Sequence, residues 1–79
     1  MSPTIFRHGD LRFFFFSREE SRPHVHVQSP DEEAKFWLDP VIALAQNHRM
    51  KPQDLMEALR LVREHEPQIR AAWSRHFGR

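Results

Sequence analysis

Two hydrophobic periods divide the chain near its middle. Up to about residue 46 apolar residues come in short runs separated by turn residues, whereas from Pro52 they recur every three or four positions. Thr4 to Arg7 is short and extended, His8-Gly9-Asp10 has turn chemistry, and Leu11 to Phe16 is aromatic enough for a buried strand, so these residues predict a hairpin. The polar stretch Ser17 to Arg22 ends at Pro23, which pushes the residue before it toward extended geometry, and the chain enters His24 to Gln28 already straight. Gln28-Ser29-Pro30-Asp31 breaks that strand. Glu33 to Leu38 and Val41 to Ala45, joined across Asp39-Pro40, predict a second hairpin, with a short helix over Val41 to Gln46 as the competing reading.

Beyond Pro52 the positions Leu55, Leu59, Val62, Glu66, Ile69, Trp73 and His76 make one helix stripe. Pro52 suits the first helical position and Asp54 the positive end of the helix dipole, although Lys51 is a poor cap. The ring of Pro67 clashes with the carbonyl four residues back, so a kink or restart is expected near Glu66, and Gly78 ends the helix. The predicted fold is α+β: an antiparallel β-sheet of about four to five short strands, covered on one face by a C-terminal helical arm kinked near Pro67. It is expected as a single domain over 1–79, with the sheet in 1–46 and the arm in 52–77.

Side chains alternate across a strand, so the more apolar parity should face the helices. That sends Val25 and Val27 inward and His24, His26 and Gln28 outward. Ala34, Phe36 and Leu38 likewise go inward, leaving Glu33, Lys35 and Trp37 outside, and Leu11, Phe13 and Phe15 oppose Arg12, Phe14 and Phe16. The expected outer face is bare, with two imidazoles, an ammonium, a guanidinium and several aromatic rings. Exposed aromatic surface on so small a domain calls for a partner.

Composition narrows the chemistry. A chain of 79 residues supports one core, and the absence of cysteine removes disulfides, zinc-thiolate sites and thiol nucleophiles and fits a reducing compartment. The longest apolar run, Phe13 to Phe16, is far short of the ~20 residues that cross a bilayer, and there is no secretory core at the start, so a cytoplasmic location with no membrane contact is expected. A net charge of +1 gives no bulk electrostatic case for nucleic acid. Acidic residues gather at Asp31, Glu32 and Glu33, and Arg70, Arg75 and Arg79 leave the end basic. Arg60, Arg63 and Arg70 read as solvated charges; His8, His48, His65 and His76 read as surface residues, and Trp73 and Phe77 as packing.

The runs PHVHV at Pro23 to Val27, EAKFWLDP at Glu33 to Pro40, PQDLMEALRLVREH from Pro52 and AAWSRHFG at Ala71 to Gly78 resemble the small prokaryotic family known as domain of unknown function 4160. That resemblance implies a single-domain protein, frequently encoded beside a small partner in an arrangement similar to toxin and antitoxin pairs. It therefore implies a toxin-like half that binds a cognate small antitoxin-like protein, with no reaction established. Arg22 departs from a second proline common in relatives and adds a cation beside His24. Asn47-His48-Arg49 replaces a glycine-containing turn, which requires Asn47 or His48 to take the left-handed geometry. His24, His26 and Lys35 match the family pattern.

Three accounts of the His-x-His pair compete. As metal ligands the two rings need a third donor, such as Glu33 or Asp10, which nothing in the sequence fixes there. As acid and base around neutral pH, with Lys35 or Arg12 stabilising a developing charge, they could cleave RNA through its own 2′-hydroxyl, Trp37 and Phe14 stacking a base. As structure, they are the polar side of a half-buried strand or part of an interface. The candidate catalytic residues are His24, His26 and Lys35; the candidate binding residues are Arg12, Arg22 and Trp37; no metal and no cofactor is expected. The leading functional expectation is a toxin-like protein acting on RNA or another target through this face. The alternative is a non-catalytic interaction module, including a homo-oligomer.

Overall fold

The computed structural model describes residues 4–16 and 22–78. Residues 17–21 of the polar connection, and Arg79 of the basic end, lie outside the described residues. Five strands, β1 (Thr4–His8), β2 (Leu11–Phe14), β3 (His24–Ser29), β4 (Glu32–Trp37) and β5 (Ala43–His48), precede two helices, α1 (Pro52–Glu64) and α2 (Glu66–Phe77). All neighbours are antiparallel and the strand order is the chain order. This is the expected α+β fold, with the apolar inner face of the sheet under the helical arm.

Local chemistry explains the boundaries. Gly9 takes the left-handed conformation (φ +57°) that closes the β1–β2 turn, where any side chain would be strained. The competing helix over Val41 to Gln46 does not form: β5 begins at Ala43, two residues after the expected Val41, and continues to His48, bulged where Lys35 pairs with Gln46 and Phe36 with Leu44. The left-handed residue before α1 is Arg49 (φ 71°), not Asn47 or His48. Asn47 instead uses its side chain as a clasp, its Oδ1 accepting from the Met50 backbone N–H at 2.9 Å and its Nδ2 donating to the Met50 carbonyl at 3.1 Å. That clasp pushes the reversal to the next position but one.

Lys51 caps α1 with no side-chain hydrogen bond, and Pro52 occupies the first turn. The arm breaks at His65, where Pro67 falls in the first turn of α2 and needs no N–H partner. Gly78 (φ 75°) closes α2 with its N–H donating to the Ser74 carbonyl at 2.8 Å.

The core lies between the layers. Phe13, Phe15, Val25, Val27, Ala34, Phe36 and Leu38, from the strands or the residues just after them, form one cluster with Met50 of the β5–α1 connection and Ala58, Leu61, Val62, Ile69 and Trp73 of the arm. Phe6 stacks on Phe13 with centroids 4.3 Å apart, and the His65 ring at the helix break closes over Phe6 at the same distance. Every inward residue assigned by alternation on β3 and β4 is buried. No helix is long and apolar enough to cross a membrane.

Candidate functional site

Register gathers the proposed site on the outer face of the sheet. In the β3–β4 ladder His24 stands opposite Trp37, His26 opposite Lys35 and Gln28 opposite Glu33; in β2–β3, Phe14 stands opposite His26 and Arg12 opposite Gln28. These positions share the face away from Val25, Val27 and Phe36, so alternation placed them correctly. Their exposure is another matter. His24 is 0% exposed, His26 6% and Phe14 2%, which corrects the expectation that this face is bare.

Larger rings pack against the two small ones. His26 lies against Phe14, with centroids 5.3 Å apart and planes 26° from parallel, while Phe16 meets it edge-on at 4.5 Å. His24 meets His26 at 5.1 Å, Trp37 at 5.9 Å and Trp73 at 5.1 Å, all edge-to-face. α2 carries Trp73 to the end of the sheet where β3 begins, and the indole closes that end. Quadrupolar edge-to-face contacts of this kind add to the burial of the rings themselves.

Polar contacts fix the rings. His24 Nδ1 lies 2.8 Å from the Arg22 carbonyl, and since a carbonyl only accepts, Nδ1 carries the proton. His26 Nδ1 lies 3.6 Å from Glu33 Oε2, within ion-pair range but beyond a hydrogen bond. Asp10, the other carboxylate considered as a metal donor, sits in the β1–β2 turn past the Arg12–Gln28 end of the ladder. Among the described residues, no three His, Asp or Glu side chains converge to hold a metal ion.

The rim of the patch is cationic and aromatic. Trp37 has the Arg22 guanidinium carbon 3.9 Å and the Lys35 ammonium 4.5 Å from its ring centroid. Arg22 is held there by donating from Nε and Nη2 to the Asp39 carbonyl at 3.2 and 3.0 Å. On the opposite flank Arg12 lies over Phe14 at 4.4 Å and donates to Thr4 Oγ1 at 2.7 Å. All six candidate residues thus form one continuous patch, Arg12 joining it through Phe14. Its centre is enclosed, and Arg22, Lys35 and Trp37 make its accessible margin.

Two contributors were not read as such from the sequence. Trp73 reads as packing in the sequence and does pack in the core, yet it also meets His24 edge-on. Arg70 reads, with Arg60 and Arg63, as a solvated charge. In the fold it ties α2 to the end of β4, donating from Nη2 to the Leu38 carbonyl at 2.6 Å and to Asp39 at 2.8 Å, and from Nε to Glu66 at 2.7 Å. The hydrogen bond to Asp39, then that to Glu66, raises its pKa further above the ordinary guanidinium value. The i, i+4 spacing to Glu66 was the only sequence signal for it.

Together these features define a small α+β domain whose antiparallel meander holds an enclosed histidine pair behind a cationic, aromatic margin. The family model described as Domain of unknown function (DUF4160) matches residues 11–74, and the chain belongs to that family. No curated protein and no solved structure matches it.

Proposed function

We propose that this chain is a non-catalytic protein-interaction module that engages a small cognate protein through the Arg22–Trp37–Lys35 margin of its outer sheet face. The observation that carries this reading is the enclosure of both imidazoles. A general acid or base must come within hydrogen-bond reach of the proton it moves, directly or through one water. Rings walled in by Phe14, Phe16, Trp37 and Trp73 suit a structural role better than the acid–base pair of a ribonuclease. The partly buried Trp37, held by flanking cations, has the character of an interface anchor: large, rigid and costly to truncate. The toxin-like pairing implied by the family resemblance then describes binding, with the partner expected to be the small protein encoded alongside.

Co-expression with that neighbouring protein, followed by calorimetric titration, tests the reading. A stoichiometric complex is expected, and Trp37→Ala should weaken it by about 2 kcal/mol, roughly 30-fold, while leaving the circular dichroism spectrum unchanged. In parallel, purified chain incubated with unstructured RNA should leave it intact. RNA cleavage that disappears in a folded Lys35→Ala variant would overturn the non-catalytic reading in favour of the nuclease.

A further inference from the structure

Charge is not shared evenly between the two layers. The whole chain has 12 basic and 11 acidic residues. Among the described residues, however, the outer-face strand positions and the Arg22 margin carry Arg7, Arg12, Arg22 and Lys35 against a single carboxylate, Glu33. Arg7 stands directly across from Arg12 in the β1–β2 ladder. Like charges opposite one another destabilise a strand pair, and an anion seated between them replaces that repulsion with two attractions. There is room for one. Both guanidiniums line a hollow of about 380 Å³ with Asp10, Gln28, Ser29 and Pro30, two cations outweighing its one carboxylate. At the other side of the face Arg22 gives two hydrogen bonds to the Asp39 carbonyl, a neutral acceptor that leaves its charge uncancelled.

Resting on the protein-binding reading above, we propose that the partner crosses this face with an acidic, extended segment whose carboxylates reach from the Arg7–Arg12 hollow to the Arg22–Lys35 margin. Register sets its length. Arg7 on β1 and Lys35 on β4 lie three strand spacings apart, about 14 Å at ~4.8 Å each, with Lys35 two residues further along the ladder. An extended chain of about five residues, at ~3.3 Å each, covers that diagonal. Single-stranded RNA would meet the same charges, but it also needs rings on which successive bases stack. Phe14 is buried and Trp37 already carries Arg22 against its ring, which leaves Phe16 as the exposed ring beside His26. Carboxylates need only the cations.

Calorimetric titration with the protein encoded alongside tests the charge on unmodified chain: raising salt from about 50 to about 300 mM should weaken the complex roughly tenfold by screening. Arg7→Glu should weaken it about tenfold at low salt, whereas Arg63→Glu, the same charge change at an exposed position of α1, should leave it within about twofold. The isolated Arg7→Glu chain should melt no lower than wild type, because a like-charge cross-strand pair becomes an opposite one. A complex that forms but responds neither to salt nor to Arg7→Glu overturns the acidic segment and leaves the protein-binding reading standing. Absence of any complex overturns both. Single-stranded RNA that binds wild-type chain and is released by Arg7→Glu would assign the face to nucleic acid and overturn the choice of partner.

Discussion

His24→Ala separates an enclosed imidazole from a solvated one, and the fold gives its cost. The ring is fully buried, touches Trp37, Trp73 and His26, and holds the Arg22 carbonyl through Nδ1. Losing that hydrogen bond costs about 1 kcal/mol. Truncating a buried aromatic ring to alanine costs about 3–5 kcal/mol for Phe or Trp, and about 2 kcal/mol is a fair share for the smaller, more polar imidazole. The sum, about 3 kcal/mol, is a large part of the ~4–12 kcal/mol expected for a chain of 79 residues. At about 4–8 °C per kcal/mol for a domain of this size, Tm should fall by roughly 12–24 °C. Equilibrium urea unfolding followed by tryptophan fluorescence is the natural assay, since both tryptophans touch the ring. A solvent-facing histidine would change stability by no more than about 0.5 kcal/mol. A measured loss below that value would refute the enclosure of His24.

Arg70→Met keeps the side-chain stem but removes the bonds to Leu38, Asp39 and Glu66; because the guanidinium is partly exposed, a loss of about 1–1.5 kcal/mol is expected in thermal melts, with Arg70→Lys recovering less than half. The Arg60 hydrogen bond lowers the Glu57 carboxyl pKa below its ordinary value, so its contribution to stability is present above the unfolded-state pKa and lost as pH falls through the folded one. Carboxyl NMR should show that depressed midpoint, and Arg60→Ala should move it upward. Ile69→Ala, in the core, should cost about 2–5 kcal/mol by urea titration, whereas Met56→Ala, at a side chain 70% exposed, should change stability by less than about 0.5 kcal/mol.

Period and punctuation made most of the architecture legible. Alternation on β3 put Val25 and Val27 under the helices and both histidines on the opposite face, and Pro67 located the break in the arm to within two residues. What alternation cannot give is the depth of a face, because it names the side on which a residue stands and not what is stacked over it. Trp73 reaches His24 from the far end of the chain, and no local pattern at either residue announces the meeting. Arg70 escaped for a similar reason: one of its acceptors is the Leu38 backbone carbonyl, which leaves no mark in a sequence, and another, Asp39, lies thirty-one residues away in the chain. Backbone tolerance alone points to Asn47 or His48 for the left-handed turn before α1, but Asn47 commits its side chain to the Met50 clasp and the reversal falls at Arg49.

The order of elements also has a temporal side. All five strands precede the helices that cover them, and each pairs with its neighbour in the chain, so the sheet can assemble hairpin by hairpin before the helices dock. Until α1 and α2 dock, Phe13, Phe15, Val25, Val27, Phe36 and Leu38 have water in place of their cover. A nascent chain in that condition is a natural client for a holding chaperone.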